Sequence, residues 1–324
     1  MTTTAIAVND LVVEYRSSKS TVRAVDGLDL NIAAGEVYAL LGENGAGKTS
    51  TVEVIEGHRT RQGGQVEVLG IDPAATGRTR RELRDQIGIV LQSSGIEPEI
   101  TPREALRLFS SVYRHSRSID EVVELVDLGE FADRRVGTLS GGQRRRLDLA
   151  VAVIGQPKVL FLDEPTTGFD PSARRRAWDL ISSLRADGTT ILLTTHYLEE
   201  AEYLADRVGV IAHGRMVIEG APSELRRTHG NSVMSVEIAG PHQFISEDLR
   251  SGVTKALDGI VGEMTWIGVR LQVTSSDTTA VLERLTAWAT AAGLTLRDWS
   301  IERPSLERIF LTLNANDLED GDHG

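Results

Sequence analysis

The residues with the clearest chemistry are Gly42-Glu43-Asn44-Gly45-Ala46-Gly47-Lys48-Thr49-Ser50. They follow an apolar run, residues 37–41, and lead into Val52 and Ile55 at helical spacing, so the stretch reads as strand, glycine-rich turn and helix. That context suits a phosphate-binding loop. Glycines let the backbone curl until its N–H groups converge on phosphate oxygens, at the end of a helix whose dipole favours negative charge. Lys48 adds a point charge for the outer phosphates, and the Thr49 hydroxyl can ligate Mg²⁺. A second pair, Asp163-Glu164, ends the continuous apolar run 159–162. Such a run implies a strand buried on both faces, and its carboxyl end is where open α/β sheets place ligands. His196 follows the run 189–195 in the same way, and Gln92 follows 87–91. Tyr15 ends the first strand at a polar turn, where it can stack on a nucleotide base or simply pack.

These groups need a sheet whose strand ends converge. Residues 5–32 alternate apolar and polar side chains and predict an antiparallel ribbon beside that sheet. A short strand at 63–70, a charged helix at 78–85 and a buried strand at 87–91 follow. Residues 93–100 read as a loop, and a mostly helical stretch runs from Thr101 to about Ile154 with Pro102 at a first helical position. A helix at 171–186 separates the two strands that end at Asp163 and before His196, and a hairpin around His213-Gly214 closes the first domain at about residue 230. Residues 231–313 then read as a small α+β domain: a strand at 233–239, a weak helix, alternation through 264–274, a helix at 278–292, a strand at 294–301 and an amphipathic helix at 304–313. The polar tail 314–324 is expected to be flexible.

The net charge of −12 argues against a nucleic-acid binder, whose affinity would come from basic residues neutralising phosphates. Residues 231–324 carry 14 acids against 7 bases, a solvated and acidic segment. Without cysteine the chain has no disulfide framework and no thiolate site. The first ten residues lack the features of a signal peptide, and no apolar run approaches the ~18 residues of a spanning helix. The chain is therefore not expected to cross a membrane by itself.

Leu139-Ser140-Gly141-Gly142-Gln143, twenty residues before Asp163, is the signature peptide of the ATP-binding cassette family, which the chain resembles from about Ala5 to Thr228. Gln92, Asp163-Glu164, Gly168-Phe169-Asp170 and His196 fall in the family's order. The resemblance implies an α/β fold, a P-loop NTPase core of the ABC-ATPase type with an antiparallel β ribbon and a helical subdomain over about 93–154, plus the small C-terminal α+β domain. It implies ATP and Mg²⁺ as cofactors. Tyr15, Gly42, Asn44, Gly45, Gly47, Lys48, Thr49 and Ser50 would hold the nucleotide, and Thr49, Gln92 and Asp163 the metal. Glu164 would polarise the attacking water, His196 would contact the γ-phosphate, and Gln92 would sense metal and nucleotide. Ser140, Gly141, Gly142 and Gln143 would face the nucleotide of the opposite subunit, a role compatible with an ordinary helix cap. Asp170 would lie at the subunit contact. Phe169 stands where the family more often has leucine and Glu43 where proline is frequent, but neither change removes a catalytic group.

The implied assembly is a dimer sandwiching two ATP, expected to be a homodimer, that drives a separate transmembrane permease from the cytoplasmic face of the membrane. The closing stretch Ser300-Ile301-Glu302-Arg303-Pro304-Ser305-Leu306-Glu307-Arg308-Ile309-Phe310-Leu311 is similar to that of ATPase subunits grouped with daunorubicin-resistance exporters. This looser resemblance implies export of drugs or lipophilic compounds. Transport of another cargo, or a soluble ATP-driven switch, is the alternative. A single phosphate loop argues against the two-cassette proteins that act on ribosomes, and the lack of a long coiled coil or zinc-binding cysteines argues against DNA-maintenance ATPases. The intact Glu164 and His196 weaken a non-hydrolysing adaptor.

Overall fold

The computed structural model describes residues 3–17, 20–90, 95–239, 246–302, 305–307, 309 and 310, and the chain divides into two compact units, Met1–Pro222 and Ser223–Gly324. In the first unit β1 (Thr4–Arg16) and β2 (Thr21–Ala33) pair antiparallel. Next come β3 (Val37–Leu41), α1 (Lys48–Ile55) and β4 (Gly63–Val68). β4 pairs with the free edge of β1, so the anticipated ribbon is a three-stranded sheet ordered β2-β1-β4. The chain continues through α2 (Gly77–Arg84), β5 (Ile87–Val90), α3 (Pro102–Ser110), α4 (Ile119–Leu125) and α5 (Gly141–Val153). It closes with β6 (Val159–Asp163), α6 (Pro171–Ala186), β7 (Thr190–Thr194), α7 (Leu198–Leu204), β8 (Arg207–Ala212) and β9 (Arg215–Gly220).

The large sheet runs β5-β6-β7-β3-β8-β9, parallel except for the edge strand β9. Every residue of β3 and β7 is buried, as are the four apolar residues of β6, which is why these strands read as unbroken apolar runs. Exposed β9 alternates instead. One apolar cluster joins Ile6, Leu28 and Val66 of the small sheet to Val52 and Ile55 of α1 and to Leu40, Phe161 and Ile211 of the large one. The helical stretch is opened by Thr101, which forms a capping box with Glu104 ahead of Pro102 in α3.

The second unit holds α8 (Pro222–His229), which begins at the division, then β10 (Ser232–Ala239), α9 (Glu247–Ala256), β11 (Met264–Ile267), β12 (Arg270–Ser275), α10 (Thr278–Ala291) and β13 (Thr295–Glu302). Its antiparallel sheet is ordered β11-β12-β10-β13. Met234, Val236, Ile238, Leu271 and Val273 form a core with Val253, Leu257, Val281 and Leu285. The alternation through 264–274 conceals a hairpin. Gly268, at φ +63°, turns the chain between β11 and β12 without breaking the period of two. Of the anticipated last helix, Leu306 and Ile309 are buried, whereas Arg303, Pro304, Arg308 and residues 311–324 lie outside the described residues. Helices α7 and α8 were not anticipated from the sequence.

Candidate functional site

Strand register sets the site. Asp163 pairs with Thr194, and Thr194 with Leu40, so β6, β7 and β3 finish at one level and their following loops lie side by side. From β3 the chain enters the glycine-rich loop. Gly47 caps α1 at φ +108°, and a Cβ there would sit 2.4 Å from the carbonyl oxygen of Ala24. The same corner is held by the hairpin turn: Gly214 N–H donates to the Ala46 carbonyl, and Asp26 N–H donates to the Gly214 carbonyl, both at 2.9 Å. Buried Lys48 donates through Nζ to the carbonyls of Gly42 at 2.7 Å and Glu43 at 3.0 Å. Burial pulls its ammonium below the ordinary lysine range, opposed by the carboxylates of Glu164, Asp163 and Glu43. No side chain caps α1 and no acid occupies its first turn, an arrangement that favours an anion at its positive end.

At the end of β6, Thr194 Oγ1 donates to the Asp163 carboxylate. Glu164 follows at φ +48°, a left-handed conformation that costs a non-glycine residue roughly 1–2 kcal/mol. Its N–H donates to the Thr194 carbonyl at 3.0 Å. Thr167 Oγ1 donates to its Oε2 at 3.2 Å, and its Oε1 lies 3.3 Å from His196 Nδ1. The His196 ring leans on Tyr197, with centroids 4.1 Å apart.

Two buried charges outside the anticipated set support this turn. Arg145 of α5 donates to the carbonyls of Asp163, Glu164 and Pro165. Burial lowers its guanidinium from the ordinary arginine range, opposed by Asp148, Asp163, Glu164 and Glu200. Glu200 of α7, fully buried, accepts through Oε1 from Thr166 Oγ1 at 2.8 Å and Trp178 Nε1 at 3.0 Å. A sequence signal exists for both. Arg145 falls four residues before Leu149 on the buried stripe of α5, and Glu200 falls four residues before Leu204 on that of α7.

The structure brings Lys48 near Asp163 and Glu164, and Glu164 to His196. Tyr15 is tied to the loop by a 2.8 Å hydrogen bond between its hydroxyl and Ser50 Oγ, and the Arg59 guanidinium lies 4.5 Å from its ring centroid. Ser140 and Gln143 are instead occupied with each other, in a capping box that starts α5. Gly142 lies beside Phe169. Asp170 caps α6 through Ala173 N–H at 2.9 Å, and the backbone N–H groups of Ala173 and Ser172, with Arg176 and Arg146, hold its carboxyl below the usual range. Gln92 lies outside the described residues.

The donor set fits Mg-nucleotide. Asp163 and Thr49 offer oxygen to an ion that keeps most of its waters, and among the described residues there is no cluster of three or more acids, histidines or cysteines of the kind an all-protein cage would need.

The family model for the ABC transporter matches residues 25–167. The chain is 36% identical over 329 residues to the daunorubicin/doxorubicin resistance ATP-binding protein DrrA of Streptomyces peucetius, covering 98% of this chain and 94% of that protein. It is 39% identical over 302 residues to the Nod factor export ATP-binding protein I of Rhizobium sp. (strain N33), covering 91% and 93%. A dimeric ATP-binding cassette in a post-hydrolysis state, bound to ADP and Pi, shares the fold over 67% of this chain and 98% of that one, with TM-score 0.62 and 24% identity. With relatives matched along nearly its whole length and a glycine-rich loop, an acidic strand end and a histidine aligned by one sheet, the chain belongs to the ABC transporter family as an ATP-binding, ATP-hydrolysing subunit.

Proposed function

We propose that this subunit pairs with a second cassette, expected to be its own copy, around two Mg-ATP and uses the closing and opening of that pair to drive export through a separate permease at the cytoplasmic face of the membrane. The carrying observation is the Glu164 carboxylate, turned by a left-handed backbone toward His196 and close to buried Lys48. Gly42, Asn44, Gly45, Gly47 and Ser50 cradle the phosphates with Lys48, and Tyr15 offers the base the ring face not covered by Arg59. Glu164 accepts a proton from the attacking water, His196 holds Glu164 and the γ-phosphate oxygen in line, and Thr194 orients Asp163. Asp163 and Thr49 hold Mg²⁺, with Gln92 as the third expected contact; the ion supplies positive charge to the phosphate oxygens. Ser140, Gly141, Gly142, Gln143 and Asp170 act on the partner's nucleotide. Their support is that Ser140, Gln143 and Asp170 cap exposed helix starts rather than reaching the phosphate loop of their own chain.

The relatives named for daunorubicin/doxorubicin resistance and for Nod factor export support an exporter of drugs or lipophilic compounds. The test is Glu164→Gln. Hydrolysis should fall by about 10²–10⁴-fold, the contribution of a positioned general base, while ATP binding persists and the ATP-bound pair accumulates in gel filtration. A variant that still hydrolyses ATP at the wild-type rate, or elutes only as monomer with ATP, would refute the reading.

A further inference from the structure

Helix α5 carries the Ser140–Gln143 peptide at its start and three successive arginines directly after it. Their fates differ. Arg144 bonds the Gly137 carbonyl and Arg146 bonds Asp127, both toward the neighbouring helical segment. Arg145, between them, is only 8% exposed and crosses to the turn after β6. There it donates to three consecutive carbonyls: Asp163 at 2.5 Å, Glu164 at 3.0 Å and Pro165 at 3.2 Å. A planar guanidinium presents five donors in a fixed fork and can span three acceptors in this way; an ammonium is a point charge on a flexible stem without that fork.

The middle carbonyl of the three belongs to Glu164, the one residue of this turn other than glycine with a positive φ. Such a conformation persists only where the surroundings over-determine it. On its amide side the Thr194 carbonyl does so. On its carbonyl side Arg145 does.

We propose that Arg145 is a positioning residue for hydrolysis: it holds the Glu164 backbone in the left-handed conformation that points the carboxylate at His196, and so makes the aim of the base depend on where helix α5 sits. Because α5 begins with the peptide assigned to the partner's nucleotide, one rigid helix then joins engagement at one nucleotide to the geometry of the base at the other. This rests on the reading of Glu164 as the general base.

The test uses the full chain with Arg145→Gln and Arg145→Lys, each alone and combined with Glu164→Gln. Steady-state hydrolysis, binding of a fluorescent ATP analogue and melting temperature are measured for each. Arg145→Gln should lower kcat by about 10- to 100-fold, a part of the ~10²–10⁴ that a positioned base supplies, with KM and analogue affinity within about threefold of wild type. Arg145→Lys, which keeps the charge without the fork, should fall between the two, and it carries the test if the glutamine variant does not fold. In the Glu164→Gln background neither substitution should slow the residual rate further, since no base remains to be aimed. Equal losses in both backgrounds, loss of nucleotide affinity in step with kcat, or an unchanged kcat in Arg145→Lys would overturn the proposal and leave the base reading standing. Wild-type hydrolysis by Glu164→Gln alone would overturn both.

Discussion

Glu56, immediately after α1, is a carboxylate set inside the first unit, with its Oε2 3.2 Å from His58 Nδ1. Burial, with the negative charges of Asp163 and Glu53, pushes it up to about 8. Burial and the nearby Arg84 and Arg80 push His58 the other way, so at neutral pH a protonated carboxyl meets a neutral imidazole. The folded chain then binds more protons at Glu56 than the unfolded chain between the ordinary carboxylate value of 4.5 and about 8, so stability is fully present below that window and falls as pH rises through it. Between pH 6 and pH 9 wild type should lose on the order of 3 kcal/mol from this group, at 1.36 kcal/mol per pKa unit. Glu56→Gln should flatten the slope and melt higher than wild type at pH 9. Parallel melting curves for the two proteins across that range would show that Glu56 is not the group responsible.

At the scale of elements, β3, β6 and β7 finish at one level and two cross-ties keep their loops in place. One is the hairpin turn of β8 and β9, which grips the glycine-rich loop through Gly214. The other is Glu200, which links α7, directly after His196, to Trp178 of α6 and to Thr166 beyond Glu164. Its second oxygen, Oε2, has no hydrogen-bond partner among the described residues, so the tie hangs on Oε1. Glu200→Ala would strand two buried donors, the Thr166 hydroxyl and the Trp178 indole. A cost of about 2–4 kcal/mol is expected in urea unfolding, with kcat falling as His196 and Glu164 lose their shared support. Glu200→Gln keeps the acceptor and should recover most of that stability. Equal stability of the alanine variant and wild type would mean that water replaces the carboxylate without loss.

For the molecule as a whole, the second unit has its own apolar core on α9, α10 and its four-stranded sheet, and every residue assigned to nucleotide lies in the first. Removing residues 223–324 should therefore leave a folded chain that binds ATP within about threefold of wild type, a change of under 1 kcal/mol. A folded truncation unable to bind ATP would reject this division of labour. Among the described residues no helix is long and apolar enough to cross a membrane. Co-purification of the tagged protein from host membranes should recover a multi-helix permease in stoichiometric amount; recovery of soluble partners alone would sink the export reading. By itself the sequence determined the glycine-rich turn between β3 and α1, the buried parallel strands and the placing of acids and a histidine at strand ends, because each is written in a local pattern of glycine spacing or unbroken apolar runs. It could not show that β4 completes the small sheet, that Gly268 splits one alternating run into a hairpin, or that one arginine of three turns inward to hold Glu164. Those outcomes depend on which distant strand edge, turn or carbonyl a residue meets, and residues far apart in the chain meet only when the sheet register and helix packing bring them together.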